Sequence, residues 1–76
     1  MDAYKLARAA IARMGYDESE FAIERIARKG DVIEVEAYSP SRGMDISARI
    51  VRESGIVRVS ANVETTAHSF ERIVVL

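Results

Sequence analysis

Among the side chains of this sequence that can do acid–base or metal chemistry, His68 is the only histidine. It lies in a polar segment with Thr65, Thr66 and Ser69. A metal site needs several ligands at suitable spacing, and a nucleophile–base pair needs a hydroxyl held in position. No ligand cluster accompanies His68, and almost any polar loop offers nearby hydroxyls. We therefore interpret His68 as structural or solvent-exposed, and we predict no catalytic residue, no metal site and no cofactor.

A group of acids at Asp17, Glu18 and Glu20 is the second candidate for chemistry. Their spacing does not fit a calcium loop, in which oxygen ligands are spread over about a dozen residues around a central glycine. Capping of a helix or turn explains the same residues, because an Asp side chain accepts hydrogen bonds from backbone N–H groups. We interpret the group as a cap or a solvated acidic turn.

Arginines and their polar neighbours are the candidates for binding an anion or a nucleic acid. The candidate residues are Arg42, Arg49, Arg58, Ser60 and Asn62. Arg42 lies in the polar loop 39–43, which lacks the P-loop pattern but offers a guanidinium and backbone N–H groups to a phosphate. Arg49 and Arg58 fall on the polar face of a predicted hairpin, where no aromatic side chain accompanies them for base stacking. An ordinary loop and a solvated polar face are the simpler interpretations.

The apolar C-terminus is the candidate for self-association. Its residues are Ile73, Val74, Val75 and Leu76. A strand that ends in this way is either buried in its own sheet or left as an edge that pairs with another chain. Pairing of two such edges about a two-fold axis gives a homodimer. Both alternatives stay open at the level of sequence.

Composition limits what these residues can be part of. The 76 residues are 49% hydrophobic and 30% charged, with a net charge of −1 and no cysteine. This is the composition of one globular domain, 1–76, without disulfides or thiolate sites. No stretch approaches the roughly 20 apolar residues of a membrane span, and the first residues lack the apolar core of a signal peptide, so we expect a cytoplasmic protein. A core this small leaves little room for a deep active site, which argues against an enzyme.

The first element that must position these residues is a helix over residues 2–14. Apolar residues recur at spacings of three and four on one face: Ala3, Leu6, Ala7, Ala10, Ile11 and Met14. Asp2 can cap its N-terminus, and Gly15 stands where a left-handed residue ends a helix. The Ala-rich face predicts close packing on a sheet.

Residues 17–29 fit two structures, and the first is a second helix. Asp17 and Glu20 resemble a capping box, and Glu24 with Arg28 forms a favourable pair four residues apart. A helix here would make a helical hairpin over a four-stranded sheet.

The second structure for the same segment is a strand. A two-residue turn at 29–30 would place Ile26 opposite Ile33 on the neighbouring strand. That register also places Glu24 against Val35 on the core side, which is unfavourable. The strand interpretation nevertheless supplies the neighbour that the next strand needs.

Residues 31–38 alternate between apolar and polar side chains, which is typical of a half-buried strand. The loop with Pro40 ends it. The segment 44–63 then predicts a hairpin with Ser54 and Gly55 as its turn. The register set by this turn places three apolar pairs opposite each other: Ile50 with Val59, Ala48 with Ala61, and Ile46 with Val63. After a polar connection at 64–69, residues 70–76 predict a final strand.

These elements together predict an α+β fold, with the helix 2–14 on one face of an antiparallel sheet of four or five strands. The expected core is Leu6, Ala10, Ile11, Ile33, Val35, Ile46, Ile50, Val57, Val59 and Ile73. For function, we expect a non-enzymatic interaction module that associates with itself through a sheet edge. A weak nucleic-acid-binding domain and a small ligand-binding protein or enzyme are the alternatives.

Overall fold

The helix forms where its caps and its apolar spacing predict it. A computed structural model describes residues 2–76. In it, α1 spans Ala3–Arg13, and the Asp2 side chain accepts hydrogen bonds from two backbone N–H groups of the first turn. At the other end, the backbone N–H of Tyr16 donates to the carbonyl of Ile11. Gly15 has a φ of +97° there. This left-handed conformation lets the chain reverse, so that backbone N–H groups beyond the helix donate to its last carbonyls.

Five strands come after the helix and form one sheet. After a short 3₁₀ turn at Glu18–Glu20, the strands are β1 (Ala22–Lys29), β2 (Val32–Ser39), β3 (Met44–Glu53), β4 (Ile56–Glu64) and β5 (Ser69–Val75). Each strand pairs antiparallel with the next, in the order β1-β2-β3-β4-β5. This arrangement is a meander with β1 and β5 as its edges, and it confirms the predicted α+β fold.

The β3–β4 hairpin has the predicted register. Ile50 lies opposite Val59 and Ala48 lies opposite Ala61. The turn residues Ser54 and Gly55 have φ values of +53° and +77°. Positive φ at both central residues is the signature of the type I′ turn, whose twist matches that of the two strands.

The segment 17–29 is a 3₁₀ turn followed by a strand, so the helical hairpin alternative is wrong. Phe21 is 4% exposed, and its ring lies against that of Tyr16, with 6.0 Å between the ring centroids. The strand also supplies a hydrogen-bonded neighbour for β2. A helix would leave that edge of β2 unpaired, and pairing outweighs the local helix propensity.

The predicted register of β1 also needs correction. The turn is formed by residues 30–31, and Ile26 lies opposite Val35 instead of Ile33. The pairing shifts between Ile23 and Arg25, so Glu24 is the extra residue of a β-bulge. The bulge removes the predicted clash of a buried carboxylate with the core.

The core lies between α1 and one face of the sheet. Its buried residues are Ala7, Ala10, Ile11, Met14, Phe21, Ile33, Val35, Ala37, Met44, Ile46, Ala48, Ile50, Val59, Ala61 and Val63. The other face of the sheet has no covering layer among residues 2–76. No helix in that part of the chain is long and apolar enough to cross a membrane.

Most of the predicted core is buried, with one clear error. Leu6 and Val57 are half-buried against the core. Ile73, in contrast, is 68% exposed. Val59 lies opposite Val74, which turns Val74 toward the helix and Ile73 toward the open face. The prediction that Ile73 belongs to the core is therefore wrong.

Candidate interaction surface at the β5 edge

The backbone of β5 is paired on one side only. Beyond the end of the strand, the N–H of Leu76 donates to the carbonyl of Val57 over 2.9 Å. Hydrogen-bonded and non-hydrogen-bonded pairs alternate along an antiparallel ladder. The even-numbered residues of β5 therefore bond to β4, while the odd-numbered residues turn their N–H and C=O groups outward. These odd-numbered residues are Ser69, Glu71, Ile73 and Val75.

One of these outward groups shows its direction directly. The Nε of Arg13, in the last turn of α1, donates to the carbonyl of Val75 over 3.1 Å. This carbonyl therefore points away from β4, toward the end of the helix. The remaining outward groups of β5 have no backbone partner among residues 2–76.

The side chains along this edge are apolar and exposed. Six large apolar side chains are exposed in the described part of the chain, and four of them lie between residues 70 and 76. Their exposed fractions are 68% for Ile73, 48% for Val75 and 38% each for Phe70 and Leu76. Exposure of apolar side chains beside unpaired backbone is the signature of a strand that can pair with another chain.

The open face of the sheet continues this surface. Val75 lies opposite Arg58, and Ile73 lies opposite Ser60. Ile73, Arg58 and Ser60 line a shallow depression together with Arg49 and Val51. The apolar edge therefore borders a surface that is partly polar and partly apolar. This surface carries the guanidinium groups of Arg49 and Arg58.

The other edge of the sheet is built differently. β1 has the bulge at Glu24 and carries exposed Arg25, Arg28 and Lys29. Bulges and charged side chains are the usual means by which proteins prevent pairing at an edge. β5 keeps an unbroken register along its length and contains no proline, and its two charged residues, Glu71 and Arg72, lie next to the exposed Ile73 and Val75. Of the two edges, β5 is the one suited to pairing.

The nucleic-acid and anion candidates do not all lie together, since four of them share the open face and only Arg42 lies apart from it. Arg42 pairs with Glu20 over 3.0 Å at the opposite end of β3 from Arg58. Arg58 itself lies 3.6 Å from Glu53. Arg49 and Ser60 are opposite neighbours, and Asn62 lies farther along β4.

The charge of the open face does not favour a polyanion. By strand alternation, its carboxylates are Glu34, Glu36, Asp45, Glu53, Glu64 and Glu71, and its cations are Arg25, Lys29, Arg49 and Arg58. The bulge residue Glu24 lines the same face beside Glu36 and Asp45, so acids outnumber bases by seven to four. Nucleic-acid binding by this face stays a prediction without a specific contact to support it.

His68 lies in the turn between β4 and β5 and is exposed. The Thr65 hydroxyl accepts from the backbone N–H of His68 over 3.0 Å, and the Thr65 N–H donates to the His68 carbonyl over 2.7 Å. The Thr65 hydroxyl is thus part of the turn itself. Among residues 2–76, no group of three or more His, Asp or Glu could hold a metal ion.

The acidic group at 17–20 is a cap, as its spacing predicts. A side-chain oxygen of Asp17 accepts from the Ser19 hydroxyl over 2.7 Å and from the Ser19 N–H over 3.1 Å. These two hydrogen bonds, the hydroxyl first, hold the pKa of the Asp17 carboxyl below its ordinary value of 3.8. Glu18 and Glu20 instead pair with Arg8 and Arg42, respectively.

Three features of the β5 edge were missed from the sequence. Phe70 is exposed, Arg13 contacts the edge, and Ile73 faces outward with Glu71. The outward direction of Ile73 and Glu71 follows once residues 70–76 are paired with β4. The register then determines which side chains face the core, because they alternate between the two faces of the sheet.

Comparisons of this chain with protein-family models, curated proteins and solved structures find no match. Its function must therefore be argued from the geometry of the molecule.

Proposed function

We propose that this protein is a non-enzymatic interaction module that associates with a second copy of itself through the edge of β5. The observation that carries the proposal is the coincidence of outward backbone groups with exposed Ile73 and Val75 on an edge strand that has neither a bulge nor a proline. Addition of a strand satisfies the backbone groups, and contact between the apolar side chains removes their surface from water.

A second copy fits this edge better than an unrelated strand for a geometric reason. A two-fold axis perpendicular to the sheet brings two identical edges together antiparallel, so each copy satisfies the outward groups of the other. The product is one continuous sheet of ten strands. The helices of the two copies then lie on the same side, because this axis does not exchange the faces of the sheet.

The experiment that tests the proposal measures molar mass over a range of protein concentrations. Light scattering after gel filtration should shift from 8.4 kDa toward twice that value as concentration rises. Ile73→Lys should keep the protein monomeric, because it places a charge at the centre of the edge. Ile56→Lys is the matched control, since Ile56 is 53% exposed but lies beside the β3–β4 turn.

Two results would contradict the proposal. The first is a mass that stays at 8.4 kDa up to millimolar concentration. The second is a dimer that Ile56→Lys disrupts as strongly as Ile73→Lys does. Circular dichroism of both variants would check that each remains folded.

A further inference from the structure

We infer that the two β5 strands pair in one register, with the two-fold axis passing between Ile73 and the partner's Ile73. This inference rests on the proposed self-association and specifies its geometry. The outward backbone groups of β5 belong to odd-numbered residues, so pairing must match odd-numbered residues with odd-numbered residues. Registers with substantial overlap are therefore centred on Glu71, on Arg72 or on Ile73.

Two of these registers bring like charges together. Centring on Glu71 places that carboxylate directly opposite the partner's Glu71. Centring on Arg72 forms the longest ladder but places Arg72 opposite the partner's Arg72 in a non-hydrogen-bonded pair, where Cα atoms approach to about 4.5 Å. Like charges in directly opposite positions destabilise a sheet.

The register centred on Ile73 avoids both repulsions. Ile73 meets the partner's Ile73, and Phe70 lies opposite the partner's Leu76 on the helix side. These side chains include the most exposed apolar group of the edge, at 68%. The other two registers instead place Ile73 opposite the partner's Ser69 or the partner's Glu71, so only this register buries Ile73 against an apolar side chain.

The same register creates a charge pair across the interface. Val75 lies opposite Arg58 within one copy, and the partner's Glu71 lies opposite Val75 on its other side. Arg58 and the partner's Glu71 are then two strands apart on one face, at about 9.5 Å between Cα atoms. Arg58 can turn toward it readily, since its present partner Glu53 is 3.6 Å away and both side chains are more than half exposed.

The contact of Arg13 with the edge is compatible with this register. A carbonyl oxygen has two lone pairs, so the carbonyl of Val75 can keep its bond from Arg13 while it accepts the partner's Glu71 N–H. Arg13 then marks the end of the shared ladder, because the last outward residue of β5 is Val75.

Single cysteines test the register directly, because the protein contains none of its own. Ile73→Cys, Arg72→Cys and Glu71→Cys are oxidised mildly, and the covalent dimer is followed over time on non-reducing gels. Ile73→Cys should cross-link first, since directly opposite residues of a hydrogen-bonded pair have Cα atoms about 5.5 Å apart, within the range that a disulfide spans. Arg72→Cys also removes the charge that disfavours its own register, so it gives that alternative its best chance.

A charge exchange tests the register without changing Ile73. Arg58→Glu and Glu71→Arg should each weaken the dimer, by at most roughly fivefold for each of the two symmetric contacts, because both members are exposed ion-pair groups. The double variant should recover most of the lost affinity, because the two charges are exchanged. Glu36→Arg is the control, since Glu36 is a carboxylate of the same open face but lies on β2, three strands away from β5.

The outcomes separate the register from the proposed self-association. A dimer in which Ile73→Cys does not cross-link overturns the register and leaves the dimer standing. Failure of the charge exchange to restore affinity overturns the Arg58 contact with the partner's Glu71. A protein that is monomeric at every concentration overturns both inferences.

Discussion

Ser54 holds a backbone conformation that L-amino acids rarely adopt. Its φ of +53° is the only positive value at a residue other than glycine between residues 2 and 76. The left-handed region costs roughly 1–2 kcal/mol for an ordinary residue, whereas Asn enters it more readily. Ser54→Asn should therefore raise the free energy of unfolding by a few tenths to about 1 kcal/mol.

Urea unfolding of the purified variant measures this effect, and Ser54→Val is the opposite control. A β-branched side chain is the least compatible with positive φ, so Ser54→Val should be destabilised. Equal stability of the two variants would show that the turn does not require the left-handed conformation.

At the scale of single residues, the sequence predicts the pairing of β3 with β4 correctly but misplaces one residue of the core. The Ser54–Gly55 turn and the register of its hairpin follow from two features of the sequence. Apolar and polar side chains alternate along both strands, and Gly55 tolerates positive φ. Ile73 was misplaced because a run of Ile, Val, Val and Leu has no alternation to show which side chains face the core. The pairing of Val74 with Val59 decides it, and that pairing is a long-range contact.

At the scale of elements, α1 packs on a sheet face with small side chains at its centre. Ala48 and Ala61 lie opposite each other and are 6% and 4% exposed. Ala48→Leu should overfill this layer and lower the free energy of unfolding by about 1–3 kcal/mol. Ser47→Leu, the adjacent residue on the open face, is the matched control and should change it by less than about 0.5 kcal/mol. Equal losses in thermal or urea unfolding would show that the helix does not require the alanines.

The cap of the 3₁₀ turn predicts a pH dependence. Hydrogen bonds from Ser19 lower the pKa of Asp17, so they favour the ionised carboxylate in the folded state. Their stabilising effect is present above the ordinary pKa of 3.8 and is lost as pH falls through the lower folded value. Asp17→Asn should therefore be less stable than the parent protein at neutral pH and should match it in strong acid.

Carboxyl NMR titration of Asp17 checks the cause of this pH dependence. Ser19→Ala removes the hydroxyl donor, so the Asp17 pKa should rise toward its ordinary value in that variant. An Asp17 midpoint at or above 3.8 in the parent protein would contradict the assignment.

The same part of the chain shows why one element was ambiguous in the sequence. Asp17 and Glu20 have the pattern of a helix N-terminus, and they do form a cap, but of a single 3₁₀ turn. The next residues form a strand because β2 requires a neighbour and Phe21 is buried beside Tyr16. The pairing with β2 and the burial of Phe21 depend on tertiary contacts, which local helix and strand propensities do not take into account. The bulge at Glu24 was equally hidden, since an extra residue interrupts the alternation.

At the scale of the whole molecule, one helix covers five strands incompletely. α1 has 11 residues, about 16 Å of length, and a helix is only about 10 Å wide. Five strands at about 4.8 Å spacing measure about 19 Å between the outer two. The helix therefore buries the centre of the sheet, and Phe70 and Leu76, at the β5 edge, stay 38% exposed. The exposure of Phe70 and Leu76 is thus a consequence of the fold and not of β5 alone.

This incomplete coverage ties folding stability to self-association. A partner that binds only the folded state stabilises it by mass action, by about 2.7 kcal/mol when its concentration is 100 times the dissociation constant. A domain of this size shifts its Tm by roughly 4–8 °C for each kcal/mol. The Tm of the parent protein should therefore rise with protein concentration, as measured by calorimetry over a hundredfold range. Ile73→Lys should make the Tm independent of concentration, whereas a concentration-independent Tm in the parent protein would show that the β5 edge stays unpaired in solution.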